Sequence, residues 1–323
     1  MRDSSAFQGI SDRHYFEGWY FKNVAPDGNA YSFIPGVSFD SRGAGHSFVQ
    51  VIRGSDGATA YARYDVADFK AARGTLELTV GPNRFSREGI VVDLPAAFGG
   101  IKGALTYGPH RTLPRTLLRP GIMGWYRYMP FMECYHEVGS VAHRVTGRLV
   151  VEGDPVDFGT DGVSASGRGY LEKDWGTSMP AAWVWIHGNG FPDPADSVMV
   201  SVARIPWLGH TFTGFLGFVS TDGRLVQFGT WSGARITRLE VDGPGVGVTV
   251  HAGRLTIEIH GTRTHTGMLA APVAGAMDRR IAESLDSTLH VVVTDRTHGT
   301  TAFDGGSAGI EVVGDVRSLR PRS

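Results

Sequence analysis

The sequence predicts an all-β protein built as two tandem antiparallel units, with very few helices. Three observations carry this. Apolar and polar residues alternate with period two in several separate runs, the signature of strands with one wet face. Turn-forming residues fall between those runs. The 323 residues include 45 glycines and 16 prolines, about one residue in five against roughly one in eight in average usage, and a protein of long helices does not carry that many breakers.

Taken in chain order, the first clear run has Leu76, Leu78 and Val80 alternating with Thr75, Glu77 and Thr79. In the second half, Val246, Val248 and Val250 lead to a turn at Gly253, and Leu255, Ile257 and Ile259 then alternate with Thr256, Glu258 and His260. The turns are Pro26-Asp27-Gly28-Asn29, Ser55-Asp56-Gly57, Gly81-Pro82-Asn83, Thr221-Asp222-Gly223 and Asp242-Gly243-Pro244. Their Asp, Asn and Gly residues supply the backbone conformations that tight hairpins need. Turn spacing implies about fifteen strands. One segment reads as a helix, Asp278 to Asp286: Asp278 can cap, and Met277, Ile281 and Leu285 fall four apart on one face. The stretch from Pro109 to Pro130 holds four prolines, several basic residues and Trp125, Tyr126 and Tyr128, and reads as a long loop or lid. Gly and Ser cluster between Asp157 and Gly167, which divides the chain into units 1–160 and 161–323. Periodicity alone does not separate two barrels from two sandwiches; a barrel that encloses one apolar ligand uses about eight strands.

Composition excludes several function classes. Lys and Arg number 31 against 32 Asp and Glu, so the basic excess of a nucleic-acid binder is missing. No window reaches about 18 consecutive apolar residues, so no transmembrane helix is expected. The opening Met1-Arg2-Asp3-Ser4-Ser5 leads into polar residues without an apolar h-region, and a cytoplasmic location is the default. The one cysteine, Cys134, excludes an internal disulfide and a multi-cysteine zinc site, and it reads as a small buried hydrophobe rather than a nucleophile. The twelve histidines are scattered; His260 and His265 are close in sequence but lie across a strand end. Phosphate loops, the dinucleotide-binding glycine fingerprint, G-x-S-x-G and H-E-x-x-H are all missing. Neither a metal nor another cofactor is expected. The cluster Arg111, Arg115 and Arg119 suits either an anionic headgroup or a solvated loop face.

Two dense stretches remain. The first, His14-Tyr15-Phe16-Glu17-Gly18-Trp19-Tyr20-Phe21-Lys22, sets one acid among five aromatics. It reads either as a strand whose aromatics are core and whose Glu17 pairs with Lys22 or another cation, or as a cavity wall bearing Glu17 or His14, where desolvation raises a carboxyl pKa. The second runs from Gly167 to Phe191. Alternation turns Glu172 and Asp174 to one face and Lys173 and Trp175 to the other, and it groups Trp183, Trp185, His187 and Asn189. Paired acids beside indoles suit the making and shielding of a cation: the acid gives a proton and the ring faces stabilise the charge. A salt-bridged corner with packing tryptophans fits the same letters.

At these two stretches the sequence resembles the tocopherol cyclase family. The carriers are His14 to Tyr20, Tyr170-Leu171-Glu172-Lys173-Asp174-Trp175-Gly176, and Trp183-Val184-Trp185 through Asn189 and Phe191, supported by Pro130-Phe131-Met132-Glu133, Ile205-Pro206-Trp207-Leu208-Gly209 and Leu269-Ala270-Ala271-Pro272. The resemblance implies two tandem lipocalin-like antiparallel β-barrels and a pocket for an amphipathic prenylated aromatic or terpenoid. It implies a cofactor-independent reaction, in which a proton adds to an alkene and the neighbouring phenol oxygen captures the cation to close a chromanol-type ring. Plant-like members carry Asn where this chain has Asp174 and Gln where it has His187. Glu172 is therefore the expected proton donor, with Asp174 and Glu17 as alternatives. Trp19, Tyr20, Trp175, Trp183 and Trp185 are expected along the cation path, and His187 and Asn189 at the phenol. His14, Glu133, Tyr170 and Lys173 complete the expected binding set. A lipid substrate further implies transient contact with a membrane surface, at the periphery of the inner membrane. Two rival readings are a hydratase of the carotenoid type, in which water traps the same cation, and a non-catalytic isoprenoid binder.

Overall fold

The computed structural model describes residues 3–95, 97–160 and 166–320. Among them lie twenty-two strands in antiparallel sheets of twelve and ten, four short 3-10 turns and no α-helix. The first sheet starts on Tyr15–Val24 and meanders outward through Ala30–Phe39, Gly45–Arg53 and Thr59–Tyr64. It turns a corner at Val66–Asp68 and returns through Phe69–Ala71, Glu77–Val80, Asn83–Ser86, Gly89–Leu94, Ile101–Tyr107 and Cys134–Val151. It ends on Gly167–Gly176, which pairs with the starting strand. Both edges of the sheet are therefore sequence neighbours joined by one 3-10 corner, and the sheet must curl round to bring them together.

The second sheet repeats the plan. Trp183–Gly188, Ser197–Trp207, His210–Thr221 and Arg224–Gly229 lead to a corner at Thr230–Ser232. Arg235–Asp242, Gly245–Ala252, Leu255–Thr262 and Ala276–Asp295 lead back to Gly299–Val313, which pairs with Trp183–Gly188. The chain thus forms two tandem lipocalin-like barrels.

Alternation places the cores. Trp19, Phe21, Phe33, Val49, Leu78, Phe85, Leu105 and Leu171 converge inside the first barrel. Val184, Ile186, Val200, Val248, Ile257, Val291 and Ile310 fill the second. Each such side chain, fully buried, contributes about 1.5–3 kcal/mol. A third cluster, including Tyr20, Ile52, Val138, Tyr170, Trp183, Trp185, Met199 and Leu285, lies between the barrels and draws on both.

One expectation is corrected. The segment Asp278 to Asp286 is not a helix but part of the long strand Ala276–Asp295. A spacing of four is two strand periods as well as about one helical turn, so Met277, Ile281 and Leu285 also fit one face of a strand, and pairing with Thr266–Val273 and Gly299–Val313 decides between them. The expected division at 160/161 borders residues 161–165, which lie outside the described residues. The strand that follows, Gly167–Gly176, completes the first sheet, so by strand pairing the chain changes barrel between Gly176 and Trp183. The stretch from Pro109 to Pro130 holds no strand; it carries the 3-10 turn Gly124–Tyr128 and runs over the join between the barrels.

Candidate functional site

Side chains pack inside each barrel, and an apolar cavity of about 190 Å³ opens between the barrels. Equivalent strands build its two walls. Outward residues of Tyr15–Val24, Gly167–Gly176 and Cys134–Val151 face those of Trp183–Gly188, Gly299–Val313 and Ala276–Asp295. These are the first, last and next-to-last long strands of each barrel. Met123 and Tyr126 from the long loop, Met132 just after it, and Ile205, Phe212 and Trp231 from the second barrel also line the cavity. Gly124 lets the loop lie on the Trp231 ring: it sits at φ +58°, and a Cβ there would overlap the indole. The Trp231 Nε1–H donates to Ile122 O at 2.9 Å.

The first wall carries Glu172 and Asp174, turned into the cavity together by strand alternation. Glu172 Oε2 accepts from the Tyr170 hydroxyl at 2.7 Å and from the Trp185 indole N–H at 3.2 Å. His136, from the neighbouring strand, lies between the acids, with Nδ1 2.9 Å from Asp174 Oδ1 and Nε2 3.4 Å from Glu172 Oε2. Burial alone would lower the imidazole pKa, but Asp174 and Glu172 outweigh it and hold the ring well above its ordinary value. Ligand atoms of His136, Glu172 and Asp174 all lie within 4.8 Å of one another, near enough to hold a cation. The ring, however, turns a different nitrogen to each carboxylate, which is the geometry of a clamped imidazolium.

The opposite wall carries Glu283 and Glu311, directly paired across adjacent strands. The Tyr20 hydroxyl donates to Glu283 Oε1, and the Trp183 indole N–H donates to Glu311 Oε2. Glu283 Oε2 is buried without a hydrogen-bond partner. Burial raises the Glu283 pKa to about 7, opposed by Tyr20 and Lys22 and reinforced by Glu172. Burial and the facing Glu283 raise Glu311 as well. The cation nearest in effect is Lys22, fully buried behind Tyr20, whose own pKa burial lowers to about 7 against the pull of Glu283 and Glu172. Its Nζ lies 3.3 Å from His187 Nδ1, and the His187 ring stacks on Tyr170 at 3.6 Å.

The expected site residues therefore divide. Glu172, Asp174, Tyr20, Trp183 and Trp185 meet at the cavity, with Tyr170 and His187 in the layer behind. Glu17 does not join them. It points into the first barrel, fully buried, where Lys173 Nζ lies 2.5 Å away and the amides of Gln8 and Gly9 donate to it at 2.8 and 3.1 Å. Lys173 sits between the ring faces of Trp19 and Trp175, at 5.0 and 4.8 Å. The Trp19 chain borders the cavity, but its indole donates to Ser5 O at 2.7 Å inside the first barrel. Trp175 stacks on Tyr135 at 5.4 Å, away from the indoles of the second wall. His14 and Glu133 are exposed, and Asn189 is buried outside the cavity lining.

Sequence reasoning missed His136, Glu283, Glu311 and Lys22. Glu283 had a legible signal: it lies two residues from both Ile281 and Leu285, a lone acid on an apolar strand face. The helical reading of that segment hid it.

Solved structures with this fold include CghA, 13% identical, with a TM-score of 0.58 over 94% of this chain and 89% of that one. CghA with Sch210972 matches at 14% identity and TM-score 0.57, again over 94% and 89%. Kievitone hydratase from Nectria haematococca is 9% identical, with a TM-score of 0.53 over 97% and 93%. None of the curated proteins matches the chain by sequence. The family model described as tocopherol cyclase-like matches residues 101–314, well over half of the chain and nearly all of both cavity walls except the Tyr15–Val24 strand. The chain belongs to the tocopherol cyclase-like family.

Proposed function

We propose that the protein is a cofactor-independent cyclase that protonates an alkene of a small prenylated phenol and closes an oxygen ring. The observation that carries this reading is the facing pair Glu283 and Glu311 in the cavity wall, beside Tyr20 and two tryptophans. Protonating an alkene needs an acid that still holds its proton at neutral pH. Two adjacent carboxylates cannot both ionise cheaply in a buried wall, so the pair keeps one proton between them. That proton adds to the alkene and leaves a tertiary cation. Glu172, the donor expected from sequence, takes a different part. Tyr170 and Trp185 donate hydrogen bonds to it and the His136 ring stands 3.4 Å away as its countercharge, which suits an anion held beside the cation, with the indole faces of Trp183 and Trp185 adding to its stabilisation. The phenol oxygen attacks the cation, and its proton returns to the carboxylate pair. The balance closes without oxidant, reductant or metal.

Water in place of the phenol would make the same site a hydratase. The apolar lining of indoles, Met179, Leu269 and Ile281 around the acids favours capture by the substrate's own oxygen. The deciding experiment is a single turnover in deuterated buffer on short-chain prenylated quinols. Wild type should place one deuterium on the former alkene carbon, and Glu283→Gln should not. Deuterium placed at a near-normal rate by Glu283→Gln but not by Glu172→Gln returns the donor role to Glu172. Tight binding of the quinol by wild type without any turnover leaves an isoprenoid carrier.

A further inference from the structure

The geometry points to the mouth of the cavity as a docking surface for a phospholipid bilayer, through which the ligand enters from the lipid. Four observations support it. Thr116 and Arg119 close a tight turn by two backbone hydrogen bonds of 2.9 and 3.1 Å, which sets Leu117 and Leu118 at its tip, 88% and 78% exposed. Beside them stand Phe131 and Leu208, 79% and 64% exposed, each at positive φ, a backbone region that residues with a Cβ seldom adopt.

These groups form one patch. The Tyr128 hydroxyl donates to Leu117 O at 3.0 Å, and the Trp207 indole donates to Pro130 O at 3.1 Å, which ties the Leu208 hairpin to the Phe131 corner. The patch is continuous with the cavity: Tyr126, Met132 and Phe212 line it, and Tyr126 stacks on Phe212 at 6.2 Å. Charge then names the occupant. From Pro109 to Met132 and from Ser197 to Thr221 the chain carries no Asp or Glu. Arg115 and Arg127 are paired inward with Glu137, Arg111 is bonded to Ser220, and Arg119 is exposed beside the leucine tip. An apolar tip with Arg119 beside it, and with Glu133 as the exposed acid next to the Phe131 corner, suits insertion between the headgroups of a leaflet with anionic lipid. Among the described residues no helix is long and apolar enough to cross a membrane, so the contact is a surface one.

The inference holds whatever reaction the cavity performs, and its test is separate from turnover. The full-length protein is sedimented with phosphatidylcholine vesicles, with and without phosphatidylglycerol, and compared with Leu117→Asp/Leu118→Asp; Phe131→Asp serves as a second variant. Both changes fall on exposed side chains, and circular dichroism and melting temperature check the fold. Wild type is expected to bind the anionic vesicles, and the double variant to bind at least about tenfold less, the loss from removing two inserted leucines. Turnover of a detergent-dispersed quinol should be the same in both proteins. Wild type left in the supernatant with both vesicle types at low salt overturns the proposal, as does equal binding by folded variants of both kinds. A wild-type dimer that the double variant turns into a monomer, with no vesicle binding, assigns the patch to a second copy of this chain instead.

Discussion

The two walls of the cavity come from equivalent strands of two barrels with one topology, yet their charges are balanced in opposite ways. The first wall places Glu172 and Asp174 on one strand and supplies His136 between them from the next. The second wall places Glu283 and Glu311 on paired strands, with hydrogen-bond donors in Tyr20 from the first wall and Trp183 from the second, and with the buried Lys22 behind Tyr20 rather than between the two acids. On the mechanism proposed above, the acids with a cation between them carry the negative charge and the acids without one share a proton, so that one cavity offers an anion and an acid to the same ligand.

The comparison can be broken most directly at Glu283. Glu283→Gln should lower single-turnover rate by about 10²–10⁴, the usual loss for a general acid, while urea unfolding shows no loss of stability. A smaller kinetic effect than that of Glu172→Gln would reverse the roles of the two walls. Next is the acid that lies outside the cavity. Lys173→Met strands Glu17 without its cation and should cost about 3–5 kcal/mol in urea unfolding, whereas Glu17→Leu with Lys173→Met should restore most of it. Ligand affinity of the folded protein should not change in either, and a loss there would bring Glu17 back into the site. Trp19→Ala belongs with this pair: a core loss of about 3–5 kcal/mol with affinity retained.

The pH profile sharpens the comparison further. The folded-state pKa of Glu283 is raised to about 7 by burial. Its protonated form is therefore favoured by folding, a contribution complete below the ordinary carboxyl pKa and lost as pH rises through about 7. The rate should fall about tenfold per pH unit above that point and level off below it. A rate that instead rises through neutrality means that the reactive form of the pair is the base. The smallest effect is expected at Trp185. Trp185→Phe keeps a ring but removes the N–H bonded to Glu172, and a hydrogen bond to a charged group is worth about 1.5–3 kcal/mol. A drop of about 10–100-fold in rate is expected, with the pH midpoint unmoved.

Much of this was legible in the sequence for a plain reason: period two survives wherever one strand face is wet. It gave the all-β class and put Glu172 and Asp174 on one face with Lys173 and Trp175 on the other, as the strand pairing has them. It failed where spacing is ambiguous. Met277, Ile281 and Leu285 fit a helix and a strand equally, and the wrong choice concealed Glu283. It failed again on partners distant in sequence. Glu17 and Lys173 lie on neighbouring strands because the last strand of the barrel returns to the first, and nothing near Glu17 announces that cation. His136 meets Asp174 across the pairing of Cys134–Val151 with Gly167–Gly176, 38 residues away in sequence. A cavity between barrels, rather than within one, is likewise a product of how two closed sheets meet.

The cluster that joins the barrels has a thermodynamic consequence. Tyr20, Tyr170 and Val138 of one barrel share a buried cluster with Trp183, Met199 and Leu285 of the other, and residues 177–182 link the two sheets along the chain. Neither barrel can melt without exposing that shared apolar surface, so heating should give a single cooperative transition, and a ligand held in the cavity should move it upward as one.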